Sequence, residues 1–210
     1  MSIQPHLRVY PDKFDLAEAV ASDFVNFVRQ MTVFREKVYI ALSGGSTPLL
    51  FYKALARLRP DLDWGQVILF WADERCVPPD HPESNFGMAF QELILPLEIP
   101  EDSYFRIRGE DDPAKEAVRY GELIMDTVSP SMNFPVFNRI YLGMGEDGHT
   151  ASIFPGRMEL WKTDSLCVVA DHPVTGQKRI SFTGHLVNAS QRISFLVSGK
   201  SKRETVQEVV

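Results

Sequence analysis

Gly143, Gly145 and Gly148 stand in the spacing G-x-G-x-x-G, and His149 follows directly behind them in the stretch "RIYLGMGEDGHTASIFPG". Two chemistries can use such a stretch. Glycines spaced this way between a strand and a helix let the backbone approach a dinucleotide pyrophosphate, whereas a glycine turn at a strand's end can present an imidazole to a ligand. The dinucleotide reading is supported by a preceding strand and by Asp171, which lies at nearly the distance where a ribose-binding acid belongs. It fails on the helix. Pro155 and Gly156 interrupt what should be a continuous crossover helix, and Glu146 with Asp147 would put two negative charges where the pyrophosphate sits. What remains is a turn presenting His149 just after an acid, Asp147, where an imidazole can be oriented and reach a ligand. His6, His81, His172 and His185 lack that setting and read as structural or surface residues. No H-E-x-x-H and no Cys/His cluster suggests a metal.

Two further loops carry chemistry. Ser43-Gly44-Gly45-Ser46-Thr47-Pro48 lies between an apolar run and a helical pattern. Its glycines allow close backbone approach to an anion, Thr47 suits the N-cap, Pro48 suits the first helical turn, and the free amides with the helix dipole make a phosphate seat. A plain tight turn needs only one glycine and one cap, so two glycines and two further hydroxyls favour phosphate. The G-K-[ST] ending of a P-loop is absent. In "WADERCVPPDHPESNFGMAF", Asp73, Glu74 and Arg75 follow a buried run ending at Trp71. Adjacent charges there either line a crevice or form a solvated loop with an internal Asp73 to Arg75 ion pair, and spacing alone leaves both open.

The elements that must position these loops alternate. "DLAEAVASDFVNFVRQM" places Leu16, Val20, Phe24, Phe27 and Met31 on one helical face, with Asp15 and Glu18 set as a D-x-x-E cap. "KVYIAL" reads as a strand, "LLFYKALARL" as a helix with Phe51, Leu55 and Leu58 on one face, and "RGEDDPAKEAVRYGELIMDTV" as another capped helix. "VILFW" (67–71), "RIYL" (139–142), "LCVVA" (166–170) and "ISFLV" (193–197) are apolar throughout, as parallel strands covered on both faces are. The expected fold is α/β, an open, mainly parallel sheet with ligands collecting beyond the carboxyl ends of its strands.

Composition narrows the partners. The 210 residues fit one domain, and a formal net charge of −6 leaves no basic stripe for nucleic acid. Cys76 and Cys167 form no C-x-x-C, the N-terminus has no signal-peptide pattern, and no apolar run approaches the roughly 18 residues of a membrane span. A reduced, cytoplasmic protein acting on small molecules is expected, so the sequon Asn188-Ala189-Ser190 reads as a chance match.

"ALSGGSTP", "DERCVPPDHPESNFGMA", "RIRGE" and "LGMGEDGHTASIFPG", in this order, resemble the glucosamine-6-phosphate isomerase/6-phosphogluconolactonase family. The resemblance implies a Rossmann-like domain with helices on both faces and no bound nucleotide. It implies that Ser43, Gly44, Gly45, Ser46 and Thr47 hold a sugar phosphate, and that Arg179 in "KRISFT" and Lys202 in "SGKSK" supply cations to it. Arg75 and His149 match the family's active-site arginine and proposed base. The deaminase branch resembles D-E-Y in the second loop and G-H-I-A-F-N-E-P in the third. Here Arg75 replaces that tyrosine and Ser152-Ile153-Phe154-Pro155 replaces the run containing the glutamate, so the resemblance favours lactone hydrolysis. Family members usually continue beyond the position of Val210, which falls inside a helical pattern. A δ-lactone needs an activated water, a place for the developing oxyanion and a grip on its distant phosphate. His149 would take the water's proton and return it to the leaving ring oxygen. Asp147 or Asp73 would orient it, and Arg75 or a backbone amide of Gly143 to Gly148 would receive the oxyanion, without a cofactor. A non-catalytic sugar-phosphate-binding regulator, monomeric or weakly dimeric like the enzyme, has no use for a positioned base.

Overall fold

The computed structural model describes residues 6–34, 37–131 and 133–209. Val210, at the end of the C-terminal helical pattern, therefore lies outside the described residues. The chain begins with α1 (Lys13–Met31), β1 (Val38–Leu42), α2 (Ser46–Leu58) and β2 (Val67–Trp71). Next come β3 (Asp73–Arg75), α3 (Asn85–Ala89), β4 (Tyr104–Phe105) and α4 (Pro113–Thr127). The short pair β5 (Pro130–Ser131) and β6 (Phe134–Pro135) leads into β7 (Arg139–Leu142) and α5 (Met158–Lys162). The chain continues through β8 (Cys167–Asp171), β9 (Lys178–Phe182), α6 (Gly184–Asn188), β10 (Ile193–Phe195) and α7 (Arg203–Val209). Among the described residues no helix is long and apolar enough to cross a membrane.

Five strands form a parallel sheet in the order β10-β7-β1-β2-β4. Every residue of β1 and β2 is buried, as their unbroken apolar runs require of strands covered on both faces. Phe24 of α1 and Phe51 of α2 pack on Tyr141 of β7. On the other side Tyr120 of α4 packs on Phe70 of β2 and on Phe182 of β9. Successive strands depart from β1 in opposite directions, to β2 on one side and to β7 on the other. The chain thus leaves a crevice where the loops after β1 and β7 diverge, the usual ligand position in an open α/β sheet.

A second sheet, β3-β9-β8, is antiparallel and corrects two expectations. "LCVVA" is not a strand of the parallel sheet. It forms β8, one residue later than expected, and pairs with β9 across a hairpin closed by the His172 N–H to the Gln177 carbonyl, 2.9 Å. A continuous apolar run cannot by itself distinguish the two pairings; the Gly-containing turn before the alternating "KRISF" is the signal for a hairpin. Asp73 to Arg75 are likewise no loop. Ala72 donates to the Leu42 carbonyl and accepts from the Phe182 N–H, both at 2.8 Å, so the chain steps from the parallel sheet into the second sheet. β3 then pairs with β9 in register Asp73↔Ser181, Glu74↔Ile180, Arg75↔Arg179.

Two caps also differ. Asp12 rather than Asp15 caps α1, its side chain accepting from the Phe14 and Asp15 amides. Gly45 rather than Thr47 occupies the cap of α2, and no side chain caps that helix's first-turn amides. Asp112 caps α4 as its sequence implied.

Candidate active site

One cleft of about 250 Å³ opens at the carboxyl ends of the parallel strands. Its walls are the loop after β1, Asp73 and Arg75 of β3, Asn85 of α3, the loop after β7 with His149, Arg179 of β9, and Lys202. The sequence-derived candidates thus lie together, with Asp147 behind His149.

The loop after β1 divides its hydroxyls. Ser43 is buried and donates to the Tyr141 carbonyl at 2.6 Å, tying β1 to β7, while the Tyr52 hydroxyl donates to the Ser43 carbonyl. Thr47 is also buried, with its hydroxyl 2.7 Å from that of Ser198. Ser46 is exposed, beside the uncapped amides of α2. A Cβ at Gly44 would overlap the Asn85 side chain, so only glycine lets this loop meet α3.

Strand alternation sorts the three charges of β3. Asp73 and Arg75 line the cleft, and Glu74 turns away to the start of α3. Asp73 accepts from the Ser152 hydroxyl at 2.6 Å and from Asn85 Nδ2 at 3.3 Å, rather than pairing with Arg75. Glu74, only 2% exposed, accepts from the amides of Arg75, Asn85 and Phe86 and from the Ser84 hydroxyl. Burial pushes its carboxyl above the ordinary range, and these donors oppose that shift. Glu74 is therefore an organiser of the turn into α3. Glu74→Gln puts an amide nitrogen against donors that need an acceptor, and should destabilise the fold by about 2 kcal/mol, read as a lower urea midpoint.

The loop after β7 is built around its imidazole. His149 Nδ1 lies 2.6 Å from Asp147 Oδ1, and the His149 amide donates to the same oxygen at 3.2 Å. An ionised Asp147 accepts from Nδ1–H, which leaves Nε2 with its lone pair. Burial alone would raise the Asp147 carboxyl, but the His149 ring and amide outweigh it and hold the carboxyl below its ordinary value. A Cβ at Gly145 would overlap both His149 Nδ1 and Asp147 Oδ1. The glycine spacing that resembles a dinucleotide fingerprint thus makes room for this pair. Asp171, the acid a ribose would have needed, instead ends β8 and pairs with Lys178 at 3.1 Å.

Two cations face each other across the second sheet. Arg75 and Arg179 are cross-strand partners, and each has a buried Nε without a hydrogen-bond partner. Burial first, and Arg75 second, push the Arg179 guanidinium below its ordinary value. Like charges directly opposite are destabilising, and an anion placed between them removes that cost. Arg75 is also held by the Glu83 carbonyl. Cys76, next to Arg75 in sequence, has its thiol pushed up to about 11 by burial first and by Glu74 second, so it stays protonated at neutral pH.

Sequence reasoning missed three residues here. Asn85 steadies Asp73, donating from Nδ2 to its carbonyl at 2.9 Å as well as approaching its carboxylate. Ser152 joins Asp73 to β9, its amide donating to the Ser181 hydroxyl. Phe154 packs on the His149 ring at 4.5 Å between centroids, with the Arg179 guanidinium 5.6 Å from its own. Ser84 as a helix cap was the one legible signal, pointing to Asn85 at the first turn. Spacing gives no signal for the other two.

Comparison with known proteins follows this geometry. The family model described as glucosamine-6-phosphate isomerases/6-phosphogluconolactonase matches residues 11–210. A 6-phosphogluconolactonase of Treponema pallidum is 45% identical over 197 residues, covering 93% of this chain and 82% of the relative. One of Haemophilus influenzae is 38% identical over 202 residues, covering 95% and 83%. The solved structure of the Trypanosoma brucei 6-phosphogluconolactonase superposes with a TM-score of 0.86 at 27% identity, covering 100% of this chain and 88% of that one.

Proposed function

The chain belongs to the glucosamine-6-phosphate isomerase/6-phosphogluconolactonase family, and from that premise we propose that it hydrolyses 6-phospho-D-glucono-1,5-lactone to 6-phosphogluconate, the lactone-opening step of the oxidative pentose phosphate pathway. The observation that carries this reading is the His149–Asp147 pair, 2.6 Å apart, in a cleft also lined by Arg179 and Lys202. A base and an anion grip in one cleft are what a phosphorylated ester requires.

In this mechanism the substrate phosphate lies at the amides opening α2, with the Ser46 hydroxyl, Arg179 and Lys202 around it. Water attacks the lactone carbonyl as His149 Nε2 removes its proton, and Asp147 stabilises the imidazolium that forms. The negative charge on the carbonyl oxygen is received by Arg75 or by an amide of the loop after β7. Collapse of the tetrahedral intermediate breaks the ring C–O bond, and His149 returns its proton to the departing ring oxygen. The lactone and one water account for every atom of the product. Asp73, engaged by Ser152 and Asn85, keeps the cleft floor in place. A reduced cytoplasm, suggested by unpaired Cys76 and Cys167, suits this substrate.

Deamination is the second reading. It is disfavoured because Phe154 occupies the loop position where the deaminase branch carries its ring-opening glutamate, and it packs on the His149 ring instead. Acid release from freshly generated 6-phosphogluconolactone, corrected for spontaneous hydrolysis, tests the proposal. Rapid release with no ammonia from glucosamine 6-phosphate is expected. Ammonia release at a comparable rate would transfer the protein to the other branch.

A further inference from the structure

We propose that Thr205 is a positioning residue that couples the phosphate grip of Lys202 to the setting of the His149 loop, an inference that rests on the lactonase reading. A short stretch of chain touches three parts of the cleft. Ser198 meets Thr47 of the phosphate loop, Lys202 enters the cleft wall, and Thr205 Oγ1 donates to the Glu146 carbonyl at 2.8 Å. Glu146 immediately precedes Asp147, the partner of His149.

Thr205 addresses the loop with both branches of its side chain. Its methyl group lies where a Cβ at Gly148 would come within 3.2 Å, so hydroxyl and methyl bracket the Glu146–Gly148 turn. The turn itself is closed by the Gly145 amide donating to the His149 carbonyl at 2.8 Å and the Gly148 amide donating to the Gly145 carbonyl at 3.2 Å.

Among the described residues α7 contributes no fully buried residue, and Thr205 and Val206 are its half-buried contacts with the rest of the protein. A phosphate held by Lys202 adds a charge-assisted contact to that same segment and favours its docked state. Because Lys202 closes a 3-10 turn that runs directly into α7, which carries Thr205, docking that serves the phosphate also fixes the backbone beside Asp147. Binding far from the carbonyl is thereby spent on aligning the base.

The test compares wild type, Thr205→Val and Thr205→Ser by two measurements. Valine keeps the methyl contact and deletes the hydroxyl; serine does the reverse. Hydrogen exchange of the 143–150 amides is followed with and without inorganic phosphate. Phosphate should slow exchange in wild type and Thr205→Ser but not in Thr205→Val. In lactone hydrolysis, Thr205→Val should lose about 5- to 10-fold in kcat, the worth of one hydrogen bond, with a smaller change in KM, and Thr205→Ser should restore most of it. Equal slowing by phosphate in Thr205→Val, or a loss confined to KM, overturns the coupling. A wild-type protein without lactone hydrolysis would overturn the lactonase reading instead, and the exchange measurement would still decide the coupling.

Discussion

His149→Asn should lower kcat for 6-phosphogluconolactone by roughly 10²–10⁴-fold, the usual worth of a positioned general base, while KM and folding change little. Asparagine keeps size and polarity and can still donate to Asp147, but it has no basic nitrogen to take a proton from water. Wild-type activity should fall toward acid, because Nε2 must carry a lone pair to act. Asp147 does not produce that limb, since its carboxyl is held below its ordinary value and stays ionised where an imidazole titrates. The variant's residual rate should lack the limb, once the enzyme-free reaction, which quickens in base, has been subtracted. Near-full turnover by a folded His149→Asn protein that still binds 6-phosphogluconate would remove His149 from the chemistry.

Arg179→Ala should lower kcat/KM for the phosphorylated lactone by about 10²–10³-fold and that for unphosphorylated gluconolactone by less than about threefold, because a charge-assisted contact is lost only where a phosphate exists. The variant should melt no lower than wild type, since deleting Arg179 also removes the repulsion from Arg75 across the strand pair. Comparable losses on both lactones would show that Arg179 serves the cleft's architecture instead of the phosphate.

The parts of this site that could be read in the sequence are those whose chemistry is local. His149 and Asp147 are two residues apart and their turn is announced by its glycines, so their nearness is local, but the choice between Asp147 and Asp73 as the partner of the ring needed the folded chain. Gly44 and Gly45 likewise declare a close backbone approach between a strand and a helix. The cap of α2 misled because the Thr47 hydroxyl is occupied by Ser198, a partner remote in sequence. The role of Asp73 was open for the same reason: Ser152 reaches it only after the second sheet has formed. That sheet was the principal element missed. An apolar run such as "CVVA" suits a covered parallel strand as well as an antiparallel one, and here tertiary pairing with "KRISF" decides. The parallel sheet was legible because β1 and β2 are buried on both faces, and only unbroken apolar runs satisfy that environment.

β3 carries a constraint on how this chain can vary in length. A side chain's face along a strand depends on whether its position is odd or even, so inserting or deleting one residue between Trp71 and Asp73 would exchange the roles of the charges. Glu74 would enter the cleft, while Asp73 and Arg75 would be driven toward the buried start of α3. The loop between Arg75 and Ser84 crosses the surface with several exposed residues and obeys no such parity. Insertions are therefore tolerable after the strand and ruinous within it, although the two stretches adjoin.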